Sequence, residues 1–414
     1  MKLGLIGYPL GHSWSPAIHS ILLKEDCYTL HELREEELPE FFRTTDLDGF
    51  NVTIPYKQTV MPYLDEIDEA AKRIGAVNTV VHRNGTFCGF NTDYTGFMEM
   101  LRENGIDVKG KRCAVLGSGG VSRAITAALE TMGASWAVVS RKGESPCISY
   151  EQLYEDSKRF QVLINATPVG MSPKTEACPV DLDRFGKLEA VVDAIANPLR
   201  TRLCFEAKLR GLRTCGGFEM LVRQALAADR LFTENDMPEE LAAACMKQLL
   251  KERQSIVLIG MPTCGKSTIA EVIHQRTGRK LVEMDQILEE RLGTSISACF
   301  AEKGEAYFRE LETELAKELT EGNAVISCGG GVIKNPENMR ALSMNGCVFW
   351  IDRSPELLFG TSDRPLSQSK EDILKLYEER RPLYERYSDF RIENNGSLED
   401  AVAAVLAVTG ENPL

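Results

Sequence analysis

The stretch Ala114–Ala124, AVLGSGGVSRA, decides how the first part of this chain is read. A short apolar run ends at Gly117, two more glycines follow at Gly119 and Gly120, and a helix-like segment begins at once. Glycine permits the tight strand-to-helix turn and a close approach of backbone to ligand. The helix start then offers unpaired N–H groups and the positive end of a dipole to a pyrophosphate. Ser122 stands where a G-x-G-x-x-G pattern would have its third glycine, so a plain tight turn is the competing reading. The next apolar run, WAVVSR, ends in Ser140, Arg141 and Lys142 with no acidic residue. Two cations suit a ribose 2′-phosphate and favour NADP over NAD; the alternative is a solvated basic turn.

Apolar runs alternate with amphipathic stretches on both sides of this loop. KLGLIG, RCAVLG, QVLINAT and AVVDAI belong to one series, and SIVLIG, KLVEMD, AVISCGGG and CVFWID to a second. That alternation predicts an α/β fold built of βαβ units with parallel sheets. The chain has 414 residues, more than one ordinary core accommodates. PEELAAACMKQLLKERQ reads as a helix that closes the first part, and SIVLIG opens a new one near residue 252. A further division falls near residue 104. The expected domains are 1–103 for substrate, 104–235 for the dinucleotide, a helix 236–252 packing back on the first domain, and 254–414.

With 48 Lys and Arg against 61 Asp and Glu, the net charge is −13, which argues against a nucleic-acid partner. The 12 cysteines have no C-x-x-C pair or metal-ligand spacing and fit a reducing compartment. Neither a signal peptide nor a membrane span is expected, so the location expected is cytoplasmic. Nothing in the sequence fixes the oligomeric state.

Upstream of the glycine loop, polar residues crowd into GYPLGHSWSPAIH, NVTIPYK, GAVNTVV and GFNTDYTG. Each phrase is read as polar groups at the end of an apolar strand, where α/β sheets hold ligands. Ser13 and Ser15, two apart in an extended stretch, face one way and can hold a carboxylate. Asn78 and Asp93 can hold ring hydroxyls, and Lys57, tuned by Asp93, is the proton donor to a carbonyl being reduced. For any one of these a cap or a surface group is the plainer alternative. Together with INATPVGM, NPLRT and GGFEMLVRQA, the phrases resemble shikimate dehydrogenase over residues 1–250. The resemblance implies NADPH-dependent reduction of 3-dehydroshikimate. It assigns substrate contacts to Ser13, Ser15, Thr53, Lys57, Asn78, Asp93 and Gln224, and cofactor contacts to Gly117, Gly119, Gly120, Arg141 and Gly217. The chain departs from that family at Ala196, where a tyrosine is usual, and after Arg141, where Lys142 is expected to replace a second cation.

In the second part, Gly260–Thr268 reads GMPTCGKST and satisfies G-x-x-x-x-G-K-[ST] between a strand and a helix. Such a loop, here with Gly260, Gly265 and Thr268, cradles phosphates. Lys266 reaches the β and γ oxygens of ATP, and Ser267 ligates Mg²⁺. Glu283 and Asp285, flanking Met284 at a strand end, are expected to face one side, one acting near Mg²⁺ and the other near an acceptor hydroxyl. Arg309 and Arg380 offer planar forks suited to a carboxylate, and Gly329, Gly330 and Gly331 leave bare backbone at another strand end. The order of these motifs resembles shikimate kinase over residues 254–414. That resemblance gives Asp285, Arg309, Arg380 and the triple glycine to shikimate, and Arg364 to a closing lid over ATP. The whole reads as a two-step shikimate-pathway enzyme with small-molecule partners. The alternative is a quinate/shikimate dehydrogenase with a regulatory nucleotide-binding module.

Overall fold

The computed structural model describes residues 1–11, 13–358 and 370–410. It divides into two compact units, Met1–Met246 and Lys247–Leu414.

The first unit holds two sheets. One contains β1 (Leu3–Gly7), β2 (Tyr28–Glu32), β3 (Gly49–Val52), β4 (Glu66–Ile67), β5 (Thr79–Arg83) and β6 (Thr86–Phe90), in the order β2-β1-β3-β5-β6-β4. β1 runs parallel to both β2 and β3, whereas β5 is antiparallel to β3 and β6. The second sheet is wholly parallel, β7 (Arg112–Leu116), β8 (Ser135–Val139), β9 (Val162–Asn165), β10 (Ala190–Asp193) and β11 (Arg213–Cys215), in the order β11-β10-β9-β7-β8. Helices cover a parallel sheet on both faces, which is why β9 and β10 are buried throughout and apolar up to their last residues, Asn165 and Asp193.

The second unit is one parallel sheet of β12 (Ser255–Ile259), β13 (Lys280–Glu283), β14 (Ala324–Ser327), β15 (Gly346–Asp352) and β16 (Phe390–Glu393), in the order β13-β14-β12-β15-β16. β12 and β15 are buried at every position. Trp350 and Phe349 are among the largest fully buried side chains, each contributing about 1.5–3 kcal/mol over an exposed position. Among the described residues no helix is long and apolar enough to cross a membrane.

The strands of both apolar series form as the sequence predicts, and the unit boundary falls inside the helix Glu240–Arg253. Two local expectations are corrected. Ser13 and Ser15 do not share an extended stretch: Trp14 is already αR, and Ser15 opens the helix Ser15–Leu23 with Pro16 in its first turn. Proline's fixed φ suits that position, so the chain turns helical one residue earlier than alternation implies. Likewise the strand ends at Glu283, and Asp285 lies in the first turn of the helix Met284–Leu292.

Candidate functional sites

In the first unit, polar groups from three elements meet at one sheet edge. Thr53 and Lys57 follow the end of β3. Asn78 precedes β5, so it stands at a strand's start, but β5 is antiparallel to β3 and brings it to the same edge. The helix Thr92–Glu103 starts there after β6, capped by Asn91, whose side chain accepts from the Tyr94 N–H. This helix packs on Gly217–Thr233. Their approach is closest at Gly96, where a Cβ would lie 2.7 Å from the Gln224 amide nitrogen, so only glycine lets Gln224 reach the edge.

The resulting cluster is tightly bonded. Lys57 Nζ donates to Asp93 Oδ2 at 2.6 Å, with side chains 14% and 10% exposed. Asn78 Nδ2 donates to Thr92 Oγ1 at 3.1 Å and Gln224 Oε1 at 3.2 Å, while its Oδ1 accepts from the Thr92 N–H at 2.6 Å. Ser15 N–H donates to Ser13 Oγ at 3.2 Å. Sequence reading missed Thr92, which ties Asn78 to Gln224; its place at a helix start beside Asp93 was the available signal.

Beside this cluster lies a cavity of about 570 Å³, within the range of small-molecule sites. Gly117, Gly119 and Gly120 line it together with Lys57, Ser140, Arg141, Tyr150 and Thr167. A Cβ on Gly120 would lie 3.8 Å from Lys57 Cδ, which sets the glycine loop against the lysine. Gly217 and Lys142 are not in its lining. Gly217 donates its N–H to the Ile195 carbonyl at 3.0 Å, and Lys142 is 81% exposed, 3.9 Å from Glu144. Thr167 is fixed from behind: Asn165 Oδ1 accepts from its hydroxyl at 2.6 Å, and Asn165 Nδ2 donates to Asp193 at 3.1 Å. Burial pushes the Asp193 carboxyl up to about 6.

In the second unit, the loop after β12 folds around the Lys266 ammonium, which is buried. Lys266 Nζ donates to the carbonyls of Gly260 at 3.1 Å and Met261 at 2.9 Å. Gly265, Lys266, Ser267, Thr268, Glu283, Asp285 and Ser327 line a cavity of about 610 Å³. Ser267 Oγ donates to Glu283 Oε2 at 3.1 Å and lies 3.3 Å from Ser327 Oγ. Burial holds the Glu283 carboxyl above its ordinary value, against hydrogen bonds from Ser327 and Ser267.

The backbone Gly329–Gly331 gathers the remaining groups. A Cβ on Gly329 would collide with Asp285 Oδ1 and one on Gly331 with the Arg309 guanidinium, while one on Gly330 would meet Arg380 Nη1 at 3.2 Å. Arg380 Nη1 and Tyr384 Oη donate to the Gly330 carbonyl at 2.8 and 3.0 Å, and Arg380 Nε is buried without a protein partner. Arg309 donates to Glu312 Oε2 at 2.9 Å and Glu305 Oε1 at 2.9 Å. Arg364 lies outside the described residues.

Sequence reading also missed Glu312, which is buried and sits one helical turn from Arg309. Burial pushes its carboxyl up to about 7, against the pull of Arg309 and with Asp285 adding repulsion. Its ordinary value is 4.5, so its ionisation in the folded state costs free energy. That contribution to stability is full below pH 4.5 and lost as pH rises through about 7, worth about 3 kcal/mol across the window. Glu312→Gln removes this dependence. Between pH 5 and 8 the Tm of the wild-type C-terminal unit is expected to fall relative to the variant, and a constant gap in thermal melts would contradict it.

A model of the shikimate dehydrogenase substrate binding domain matches residues 5–80, and one of shikimate kinase matches residues 262–409. The chain is 39% identical over 253 residues to the NADP(+) shikimate dehydrogenase of Clostridium beijerinckii, covering 58% of this chain and 94% of that protein. It is 40% identical over 245 residues to that of Shouchella clausii, covering 54% and 89%. Among solved structures, a chorismate mutase/shikimate 5-dehydrogenase fusion from Clostridium acetobutylicum superposes with TM-score 0.57 at 38% identity, over 60% of this chain and 96% of the other. Shikimate 5-dehydrogenase of Thermus thermophilus, in complex with NADP(H) and shikimate, gives 0.54 at 33% identity, over 60% and 99%. With the Lys57–Asp93 cluster in one unit and the phosphate-cradling loop in the other, the chain belongs to the shikimate dehydrogenase family and carries a shikimate kinase domain, a bifunctional enzyme of the shikimate pathway.

Proposed function

We propose that the N-terminal unit reduces 3-dehydroshikimate to shikimate with NADPH, and that the C-terminal unit phosphorylates shikimate to shikimate 3-phosphate with ATP. In this reading residues 1–103 hold the first substrate, 104–235 the NADP, and 254–414 the kinase site, while the helix 236–252 packs back on the first domain. Cys245 Sγ, 3.9 Å from the Ile18 carbonyl, supports that last contact. One observation carries the proposal: Asp285, Arg309 and Arg380 all meet the Gly329–Gly331 backbone beside the phosphate loop. A nucleotide sensor has no use for such an acceptor site.

Lys57 delivers its proton to the carbonyl oxygen as the carbon is reduced, and Asp93 holds the ammonium in line. Asn78 and Gln224, locked through Thr92, orient the ring hydroxyls, and Ser13, Ser15 and Thr53 take the remaining polar groups. The glycine loop against Lys57 fits a dinucleotide, and Arg141 supplies a cation for a 2′-phosphate. NADPH supplies the hydride when bound.

In the kinase unit the Asp285 carboxylate takes the proton of the attacking hydroxyl, and Arg309 and Arg380 hold the acid's carboxylate. The oxygen donors Ser267 and Glu283 fit a hard cation such as Mg²⁺. Among the described residues no group of three or more His, Cys, Asp or Glu is placed to hold a metal, so the nucleotide would complete the shell.

Supplying the protein with 3-dehydroshikimate, NADPH, ATP and Mg²⁺ is expected to yield shikimate 3-phosphate, with one NADPH oxidised and one ATP converted to ADP per product, read by mass spectrometry and absorbance. Shikimate accumulating with no ATP consumed would leave a dehydrogenase with a regulatory module. Quinate in place of shikimate, with NAD and NADP, tests the effect of Ala196 on selectivity.

A further inference from the structure

The turn after β8 carries two cations in sequence, but only Arg141 lines the dinucleotide cavity. The rest of the turn is folded back on itself. Val139 bridges Ile148 in parallel register, the Ser140 N–H donates to the Ile148 carbonyl at 3.0 Å, and the Gly143 N–H donates to Ser140 Oγ at 3.1 Å. These bonds close residues 140–149 into a loop and return the chain to the cavity at Tyr150. Its ring packs against the core cluster that contains Leu116, Val139 and Leu153, so the side chain has a fixed seat. It lines the cavity next to Arg141 and Ser140. Among the described residues its hydroxyl has no protein hydrogen-bond partner, although the ring is half-buried.

We propose that Tyr150, and not Lys142, is the second group that recognises the 2′-phosphate of NADP, its phenol donating to a phosphate oxygen opposite the Arg141 guanidinium. The proposal rests on the NADP reading above. A half-buried phenol costs free energy until it finds an acceptor, and an O–H donor to an ionised oxygen makes one of the stronger hydrogen bonds. NAD carries a 2′-hydroxyl in place of that anion and gains much less from the phenol. The side chain therefore discriminates between the two dinucleotides without a second positive charge. It also explains how this turn can leave Lys142 in solvent.

The test uses the full chain and steady-state shikimate oxidation with NADP and with NAD. Tyr150→Phe, which keeps the ring and its packing, is expected to raise the KM for NADP about tenfold. The KM for NAD stays within about twofold, since the lost bond is specific to the phosphate. Lys142→Ala is expected to keep the KM for NADP within the same limits. Equal rises for both dinucleotides in Tyr150→Phe would make Tyr150 a packing residue and overturn the proposal. So would no change in either, or an NADP-selective loss in Lys142→Ala with Tyr150→Phe silent. A wild-type enzyme that uses NAD as well as NADP would instead sink the cofactor reading, and the proposal with it.

Discussion

Replacing Lys57 by methionine is expected to lower kcat for 3-dehydroshikimate reduction about a thousandfold, within the range for loss of a positioned proton donor. Both partners of the Lys57–Asp93 pair are nearly withdrawn from solvent, so water has poor access to replace the ammonium. Methionine fills much of the lysine's volume, and the Asn78–Thr92–Gln224 cluster, proposed to orient the ring, is held by its own hydrogen bonds. The KM for substrate should therefore change far less than kcat. NADP binding by the same preparation, expected to be unchanged, reports on folding of the N-terminal unit. A kcat within tenfold of the wild type would remove Lys57 from the chemistry.

Asp285→Asn is expected to cost the kinase reaction a similar factor, read as ADP release with shikimate present. Asparagine keeps the shape that fits against Gly329 but can neither take the hydroxyl proton nor carry charge beside Glu283 and Lys266. If Asp285 acts on the proton, kcat falls while the KM for shikimate moves about threefold or less. If it only binds, the KM rises and kcat holds.

Both glycine loops and the alternating apolar strands were legible in the sequence because they are local: each needs only a strand, a turn and a helix start in succession. The partners of those loops were legible one residue at a time but not as assemblies. Asn78 read as a residue at a strand end, yet it precedes its strand, and only the antiparallel turn of β5 delivers it to the edge where Lys57 stands. Thr92 and Gln224, 132 positions apart, meet because two helices touch at Gly96. Glu312 was hidden in a charged helix whose composition matches a solvated face, and burial alone distinguishes it. The short strands β2, β4, β11 and β16 were not read, since runs of two to five residues with exposed positions carry little periodicity. The role expected of Lys142 rested on adjacency to Arg141, and adjacent residues on a turn need not face the same way.

The three glycines that follow β14 also bear on inhibition. Resistance to an active-site inhibitor arises where a side chain can change while turnover survives. At Gly329 and Gly331 an added methyl group displaces Asp285 or Arg309, and at Gly330 it crowds Pro262 and Arg380, so substitution there disturbs the residues proposed to hold the acceptor. A compound that draws its affinity from this main chain, rather than from the surrounding side chains, would leave the enzyme few viable escape mutations.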